Sequence, residues 1–304
     1  MPEFMSLTSD DFQHASLDEL MLEADRVRRE RSGNTVELCA IVNAKSGRCS
    51  MDCRFCAQSV HHKTVIETYP LINCEKLLEA TTSNWNRGVQ RVGWVTSGCS
   101  ATDVEVEQLA ESAEKHQNSR ICVSLGQLSA EALSKLKSAG ITRYHHNLET
   151  SKRFYPSICS TQNWEDRYKT VQRAKTSGFE VCSGGLFGLG ESWADRMELA
   201  LTLRELEVDS VPLNFLSPIP GTPLGNQPKL TAEEGLRIIM LFRIMLPKAT
   251  IRICGGRPTT FGDRQSEIFS AGVDALMTGD YLTTSGISVE RDLKMLVDCG
   301  RRFA

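Results

Sequence analysis

The sequence lacks the charge excess and the long apolar run that mark nucleic-acid-binding and membrane proteins. Lysine and arginine total 35 against 38 acidic residues, which gives a formal net charge of -3. Small molecules are therefore the expected partners, with no nucleic acid and no membrane. The most apolar segment, residues 236–246, is too short to span a bilayer and contains Arg237 and Arg243.

The N-terminus lacks the basic-then-apolar layout of a signal peptide, so we predict a cytoplasmic location. Residues 1–4, which precede a second methionine at Met5, are interpreted as an expression scar. Residues 5–304 show no linker or low-complexity tract, and we expect them to form one domain.

A paired disulfide framework is also absent. The chain has eleven cysteines, an odd number spread from Cys39 to Cys299. In a reducing compartment such cysteines indicate metal binding or catalysis rather than structural disulfides.

Short apolar runs alternate with amphipathic segments along the chain, as in βα units around a parallel sheet. The predicted strands are 37–42, 91–95, 120–125, 143–148, 180–184, 210–216, 250–254 and 275–277. The predicted helices between them include 104–116, 130–139, 164–176, 192–207 and 232–246, and Ser129 and Thr231 are expected N-caps. This order predicts an α/β fold, a TIM (β/α)8 barrel, with an N-terminal helical extension at residues 9–31 that covers its bottom.

The strongest local signal is a run of three cysteines, Cys49, Cys53 and Cys56, in the loop after the first strand. Three thiolates on a 4Fe-4S cluster leave one iron open to another ligand. A structural zinc site is the alternative, but zinc needs a fourth ligand, for which His61 or His62 would have to be recruited.

This run, with the aromatic Phe55 before its last cysteine, resembles the cluster motif of the radical S-adenosylmethionine (AdoMet) superfamily. Further segments resemble the biotin synthase family over residues 20–296. They are residues 56–59 (CAQS), 125–129 (LGQLS), 146–150 (HNLET), 182–191 (CSGGLFGLGE), 211–216 (VPLNFL) and 221–224 (GTPL).

The resemblance implies an enzyme that inserts sulfur into dethiobiotin to form biotin. It implies a 4Fe-4S cluster, AdoMet and an auxiliary iron–sulfur cluster that supplies the sulfur. Such chemistry needs an electron donor, for which we expect a flavodoxin or ferredoxin, and we expect a homodimer.

Several residues have expected contacts with AdoMet. Thr96, Ser97 and Gly98 close the second strand, where backbone groups would take the methionine ammonium, although such a turn alone is weak evidence. Glu149 would hold the ribose hydroxyls. The pattern of Gly184, Leu186, Gly188 and Glu191 resembles the superfamily's adenine-binding edge.

Substrate contacts are expected at strand ends. The amides of Asn147 and Asn214 suit a cyclic urea, with a satisfied core amide as the alternative. Thr283 and Thr284 would offer hydroxyls to the substrate's carboxylate. His145 stands where the family usually has an asparagine near the substrate, so this contact differs here.

The auxiliary cluster can be argued partly from geometry. Alternate strands of a TIM barrel supply one layer of inward side chains, and Cys122, Cys182, Arg252 and Cys254 lie on strands three, five and seven. The family resemblance implies a 2Fe-2S cluster that is held by three cysteines and an arginine. Here Gly93 replaces the cysteine of strand two, and Cys254 is additional.

We therefore expect a 4Fe-type auxiliary cluster on Cys122, Cys182 and Cys254, with an exogenous sulfide on the fourth iron and Arg252 as a charged neighbour. A 2Fe-2S cluster with Arg252 as a ligand is the alternative. The role of Cys99 is open, and we interpret Cys39, Cys74, Cys159 and Cys299 as structural.

Two other functions remain open at this point. One is a related radical enzyme, of the hydrogenase-cofactor maturase or methylornithine synthase type, which shares the barrel and first cluster. The other is a non-enzymatic iron–sulfur or zinc protein that stores or delivers metal and sulfur.

Overall fold

Parallel strands form the inner wall of the protein. The computed structural model describes residues 7–116 and 120–304. The predicted expression scar at residues 1–4 lies outside them. The strands are β1 Thr35–Lys45, β2 Arg91–Thr96, β3 Ile121–Ser124, β4 Arg143–His145, β5 Glu180–Cys182, β6 Gly185–Phe187, β7 Ser210–Phe215, β8 Thr250–Ile253, β9 Ala275–Met277 and β10 Arg302–Phe303.

The strands close into a barrel. Each of β1 to β4 pairs with the next strand, β5 pairs with β7, and β7, β8 and β9 follow in order until β9 pairs with β1. Because β6 pairs with β7 beyond the end of β5, β5 and β6 occupy one barrel position. The predicted TIM barrel is thereby confirmed, and β10 adds a short pairing to the start of β1.

The fifth strand is interrupted, whereas the sequence predicted one strand over 180–184. A Cβ atom at Gly184 would lie 2.0 Å from the carbonyl oxygen of Pro212, so the backbone here approaches β7 more closely than any side chain allows. The N–H of Gly184 donates to Oδ1 of Asn147 at 3.1 Å instead of to a strand partner. Ser183 and Gly184 therefore form a short break between β5 and β6 in the barrel wall.

Helices surround this barrel. They are α1 Ser9–His14, α2 Leu17–Ser32, α3 Cys74–Asn86, α4 Asp103–His116, α5 Ala130–Ser138, α6 Trp164–Thr176, α7 Trp193–Glu205, α8 Ala232–Met245, α9 Arg257–Phe261 and α10 Val289–Asp298. The predicted caps are present, because Ser129 accepts from the N–H of Ala132 and Thr231 from that of Glu234. The bounds of α6 and β9 agree with the predictions, and most others differ by a few residues.

The N-terminal extension is helical, as expected, but it forms two helices and lies mainly beside the barrel. Ala15 and Ser16 separate α1 from α2. Helix α2 packs against α8 on the outside of the barrel. Its end reaches the barrel's bottom through Arg31, which donates to the hydroxyl of Thr250 at 2.6 Å and pairs with Asp274 at 2.5 Å.

The apolar segment that begins at residue 236 belongs to α8, whose residues from Gly235 to Met245 are nearly all buried. Arg243 is buried with them and pairs with Asp274 at 3.0 Å. Within residues 7–116 and 120–304, no helix is both long and apolar enough to cross a membrane.

Candidate active site

One cavity of about 420 Å³ runs down the barrel from the loops that follow the strands. Because side chains alternate along a strand, every second residue of β1 and β2 faces inward. The inward residues include Cys39 and Ile41 on β1, and Arg91, Gly93 and Val95 on β2. The cavity brings together most of the residues that the sequence predicted for cofactors and substrate.

The loop after β1 carries Cys49, Cys53 and Cys56 to the wall of this cavity. Backbone hydrogen bonds hold the loop: the N–H of Cys49 donates to the carbonyl of Gln58, and the N–H of Val60 donates to the carbonyl of Cys49, both at 2.9 Å. A fixed loop of this kind presents its thiols before any metal is bound.

These three thiols suit a cube-shaped cluster. In the described part of the chain, no three His, Cys, Asp or Glu side chains converge as they would around one metal ion. A 4Fe-4S cluster does not need such convergence, because each thiolate binds a separate iron. Burial raises the pKa of Cys56 to about 11, so a neighbouring positive centre is needed to keep its thiolate in place.

Cys159 lies beside this loop, although the sequence analysis treated it as structural. Its sulfur is 3.8 Å from that of Cys53, and both residues are buried. The Cys53 thiol donates to Cys159, which lowers the pKa of Cys159 and raises that of Cys53. No spacing in the sequence signals this pair, because 106 positions separate its members.

Thr96, Ser97 and Gly98 lie at the end of β2, and they line the cavity together with Phe55 and Leu186. The hydroxyl of Ser97 donates to the carbonyl of Gly47 at 2.7 Å, which ties the end of β2 to the cysteine loop. These predicted AdoMet contacts therefore share one wall with the three thiols.

Glu149 also faces the cavity, and its backbone has a φ of 69°, a value that favours glycine. Its carboxylate lies 3.6 Å from Arg167 of α6 and accepts from the amide of Asn147 at 3.4 Å. Arg167, which the sequence analysis missed, lines the same wall. It donates to the hydroxyl of Tyr155 at 2.8 Å and to the carbonyl of Asn147 at 2.9 Å.

Gly184, Gly188 and Glu191 are not part of the cavity wall. Glu191 is buried, where it accepts from the N–H groups of Gly188 and Leu189 and pairs with Arg196 at 2.8 Å. Its carboxylate shapes the loop after β6 from outside the cavity. Of the predicted adenine-binding pattern, only Leu186 faces the cavity.

Asn147 and Asn214 both line the cavity, but their amides are engaged with backbone groups. Asn147 accepts from Gly184, and Asn214 accepts from the N–H of Gly255 at 3.0 Å and donates to the carbonyl of Gly185 at 3.2 Å. The alternative of a satisfied amide therefore describes Asn214 well.

The remaining predicted substrate residues, His145, Thr283 and Thr284, also line the cavity. The loop that carries the two threonines is held by Tyr281, whose hydroxyl donates to the carbonyl of Cys254 at 3.1 Å. Cys99 reaches the wall as well, where the amide of Gln162 lies 3.9 Å from its sulfur.

The inner part of the cavity holds the second group of predicted ligands, Cys122, Cys182, Cys254 and Arg252. Cys39, expected to be structural, faces the same space. The alternate-strand argument that selected the other three cysteines also applies to Cys39, because it lies on the first strand. The alternation of side chains along β1 therefore predicts that Cys39 faces inward.

Three arginines surround this inner group. Arg252 forms an ion pair with Glu37, and Arg143 lies 3.4 Å and Arg91 4.0 Å from the same carboxylate. One side-chain nitrogen of Arg252 is buried with no hydrogen-bond partner among the described residues. Arg143 and Arg91 also pair with Glu180, at 3.0 and 3.4 Å, so three guanidinium groups face two carboxylates. The remaining positive charge favours an anionic group at this end of the cavity.

The inner thiols differ in acidity. Burial opposes ionisation of Cys182, but a hydrogen bond with His145 and the nearby charges of His145, Arg252 and Arg143 lower its pKa to about 7. Burial and the proximity of Cys182 raise the pKa of Cys122 to about 12. His145 therefore acts on Cys182 directly, a contact that its position alone did not predict.

Gly93 leaves open space on β2. A Cβ atom there would lie 3.4 Å from Cγ2 of Ile41, an ordinary contact. Its backbone is not in the left-handed region, so the position tolerates a side chain. The backbone of β2 would therefore accept a cysteine at position 93, where this sequence has glycine.

Comparisons with known proteins identify the family. The model of the radical SAM superfamily matches residues 44–203, and that of the Biotin and Thiamin Synthesis associated domain matches residues 212–302. The chain is 51% identical to the biotin synthase of Desulfovibrio desulfuricans, over 93% of this chain and 90% of that protein. The chain belongs to the biotin synthase family. It is also 49% identical to the biotin synthase of Endomicrobium trichonymphae, over 93% of this chain and 89% of that protein.

Solved structures support the fold. A methylornithine synthase superposes with a TM-score of 0.82 at 21% identity, over 98% of this chain and 94% of that chain. The FeFe-hydrogenase maturase HydG from Carboxydothermus hydrogenoformans superposes with a TM-score of 0.83 at 19% identity, over 97% and 74% of the two chains. Membership of the biotin synthase family implies a 4Fe-4S cluster and AdoMet.

Proposed function

We propose that this chain converts dethiobiotin to biotin by radical AdoMet chemistry. The observation that carries the proposal is a single cavity with Cys49, Cys53 and Cys56 near its mouth and a second group of cysteines on the barrel strands. When bound, the 4Fe-4S cluster and AdoMet supply the radical that removes hydrogen atoms, and the auxiliary cluster supplies sulfur. The protein's part is to bind, orient and exclude water.

The residues around the cysteine loop are suited to hold AdoMet. Arg167 offers a fixed cation for its carboxylate, and Glu149 offers acceptors for its ribose hydroxyls. Thr96 and Gly98 line the same cavity, and the Thr96 hydroxyl and the Gly98 carbonyl would accept from its ammonium. Glu191 and Gly188 are positioning residues in this scheme.

Dethiobiotin would lie deeper, between the two groups of cysteines. Asn147, Asn214 and His145 line this part, with Thr283 and Thr284 nearer the mouth. Asn214 already bonds to the backbone of Gly185 on β6 and of Gly255 after β8, so its main role is to hold these two segments together. The remaining lone pair of its amide oxygen would face the substrate.

For the auxiliary cluster we propose a 4Fe type on Cys122, Cys182 and Cys254. The presence of Cys254 in the same cavity as Cys122 and Cys182 supports this choice, because it offers a third thiolate. Cys39 is a fourth thiol of the same cavity. Cys39 either completes the ligand set or, if an exogenous sulfide binds the fourth iron, stays a protonated neighbour of the cluster. Burial raises the pKa of Cys39, which favours the protonated form.

All eleven cysteines are free thiols, which supports a reducing, cytoplasmic location. One closed barrel supports a single catalytic domain over residues 5–304. A flavodoxin or ferredoxin as the electron donor and a homodimer stay predictions.

The test is anaerobic reconstitution with iron and sulfide, followed by AdoMet, a reductant and dethiobiotin. We expect 5′-deoxyadenosine and biotin, both measured by mass spectrometry. Deoxyadenosine without biotin would indicate a related radical enzyme with another substrate. Absence of both from a brown, iron-loaded protein would favour the carrier function, which the family comparisons do not support.

A further inference from the structure

Cys53 and Cys159 face each other, and hydrogen bonds on both sides of them join their two segments. Their sulfurs are 3.8 Å apart. On one side the N–H of Arg54 donates to the carbonyl of Ile158 at 2.9 Å. On the other side the N–H groups of Ser160 and Thr161 donate to the carboxylate of Asp52 at 2.9 and 3.1 Å. The residues that flank each cysteine are thus joined directly.

The two sulfurs are close enough for rotation of the cysteine side chains to bring them within bonding distance. A disulfide needs its sulfurs at about 2.05 Å, and its geometry is normally limited by the backbone. Here the backbones of the two segments are already side by side. The other two motif cysteines have no such partner among the thiol contacts of the described residues.

We propose that Cys53 and Cys159 form a reversible disulfide when the first cluster is absent and a peroxide is present. The inference rests on the proposed role of Cys53 as a ligand of that cluster. The disulfide would occupy the ligand sulfur and keep it from further oxidation until a dithiol reductant and iron return. The cysteine loop would then hold the sulfur of Cys53 in a reversibly oxidised form that is protected from further oxidation.

The reaction balances with hydrogen peroxide as the oxidant. One of the two sulfurs, as its thiolate, attacks the peroxide oxygen, becomes a sulfenic acid and releases one water. The other sulfur then attacks the oxidised sulfur, the S–S bond forms, and the hydroxyl leaves with the remaining thiol proton as a second water. Two thiols lose two electrons, and one peroxide is reduced to two waters.

Trypsin separates the possible products. Cleavage after Arg48 and Arg54 releases residues 49–54, cleavage after Lys63 releases residues 55–63, and cleavage after Arg153 and Arg167 releases residues 154–167. A bond between Cys53 and Cys159 joins 49–54 to 154–167. A bond between Cys53 and Cys56 joins 49–54 to 55–63 instead, and fragment spectra distinguish Cys53 from Cys49.

The experiment treats the full-length, cluster-free protein with one equivalent of hydrogen peroxide, blocks free thiols and maps the peptides. We expect the product that joins 49–54 to 154–167 to predominate, and dithiothreitol to restore iron binding. A predominant link to 55–63, or sulfinic acid at Cys53 without any link, would overturn the proposal. Because no AdoMet or dethiobiotin is used, the result is independent of the proposed activity.

The variant Cys159→Ser tests the protective role, with Cys299→Ser, at the end of α10, as the matched control. After peroxide and dithiothreitol, we expect Cys159→Ser to recover several-fold less iron than the control and to carry sulfinic acid at Cys53. Equal recovery would contradict protection. Circular dichroism checks folding, and if the serine variant is unfolded, Cys159→Ala and the wild-type peptide map still decide the matter.

Discussion

The carboxylate of Glu37 on β1 pairs with the guanidinium of Arg252 on β8 at the inner end of the cavity. This pair connects the first strand of the barrel to β8, the strand that Cys254 directly follows. Both partners stay charged, since burial of Glu37 is outweighed by Arg252 and Arg143, which lower its pKa to about 2. An arginine held in this way is a fixed positive charge beside the inner thiols, and its other terminal nitrogen is buried without a hydrogen-bond partner among the described residues.

Replacing any of Cys49, Cys53 and Cys56 by alanine should abolish 5′-deoxyadenosine formation, because each removes one thiolate from the only three that the loop offers to the first cluster. The measurement is deoxyadenosine released from AdoMet under dithionite. Cys74→Ala, at the start of α3, is the control and should cleave AdoMet normally. Retained cleavage in Cys53→Ala would remove the basis of the proposed function.

Asn147→Ala and Asn214→Ala should weaken dethiobiotin binding while the first cluster still assembles. An unsatisfied buried partner costs about 1–3 kcal/mol. Because Asn214 bonds to Gly185 and Gly255, its variant should also lower the melting temperature. Isothermal titration with dethiobiotin measures binding, and visible absorbance measures the cluster. Parent-like binding in both variants would show that the substrate lies elsewhere.

The acidity of the inner thiols predicts their reactivity in the cluster-free protein. The pKa of Cys182 is lowered to about 7 and that of Cys122 is raised to about 12, so at pH 8 the first is mainly thiolate and the second mainly thiol. Iodoacetamide should therefore label Cys182 first, and its labelling rate should fall as the pH drops below 7. His145→Ala removes a hydrogen bond that favours the Cys182 thiolate, so the labelling rate should begin to fall at a higher pH than in the parent. Equal labelling of both cysteines at pH 8 would contradict the assignment.

The barrel and its first cluster loop were predictable because they depend on local and periodic features. Alternating apolar and amphipathic segments identified the strands, and a short motif identified the thiols. Cys159 was not predictable, because its contact with Cys53 depends on how the loop after β4 folds back. The position of the Glu191 carboxylate was not predictable for a similar reason: it turns toward Arg196 rather than into the cavity.

Gly93→Cys should fold and add a thiol to the inner site, since a Cβ atom at this position makes only ordinary contacts. Thiol titration of the unfolded and native cluster-free protein should give one more cysteine than the parent, with little change in melting temperature. Gly184→Cys is the contrasting variant, because its Cβ would lie 2.0 Å from the carbonyl oxygen of Pro212. Equal destabilisation by both substitutions would show that Gly93 is needed for the backbone.

The last prediction concerns the type of the auxiliary cluster. With a 4Fe cluster at each site the chain binds about eight irons, and with a 2Fe-2S auxiliary cluster about six. Cys254→Ala should lose sulfur insertion while it still cleaves AdoMet, because Cys254 lies on the inner strands and away from the cysteine loop. The double variant Gly93→Cys with Cys254→Ser moves a thiol from β8 to β2 and recreates the ligand set of three cysteines and Arg252. We expect its iron content to fall by about two per chain, with Mössbauer spectra of a 2Fe-2S centre.

The variant Cys39→Ser tests whether the fourth inner thiol is a ligand. Unchanged iron content and biotin yield would leave the fourth iron to an exogenous sulfide. About six irons in the parent, with a 2Fe-2S signal that survives Cys254→Ala, would reject the 4Fe cluster and make Arg252 the ligand.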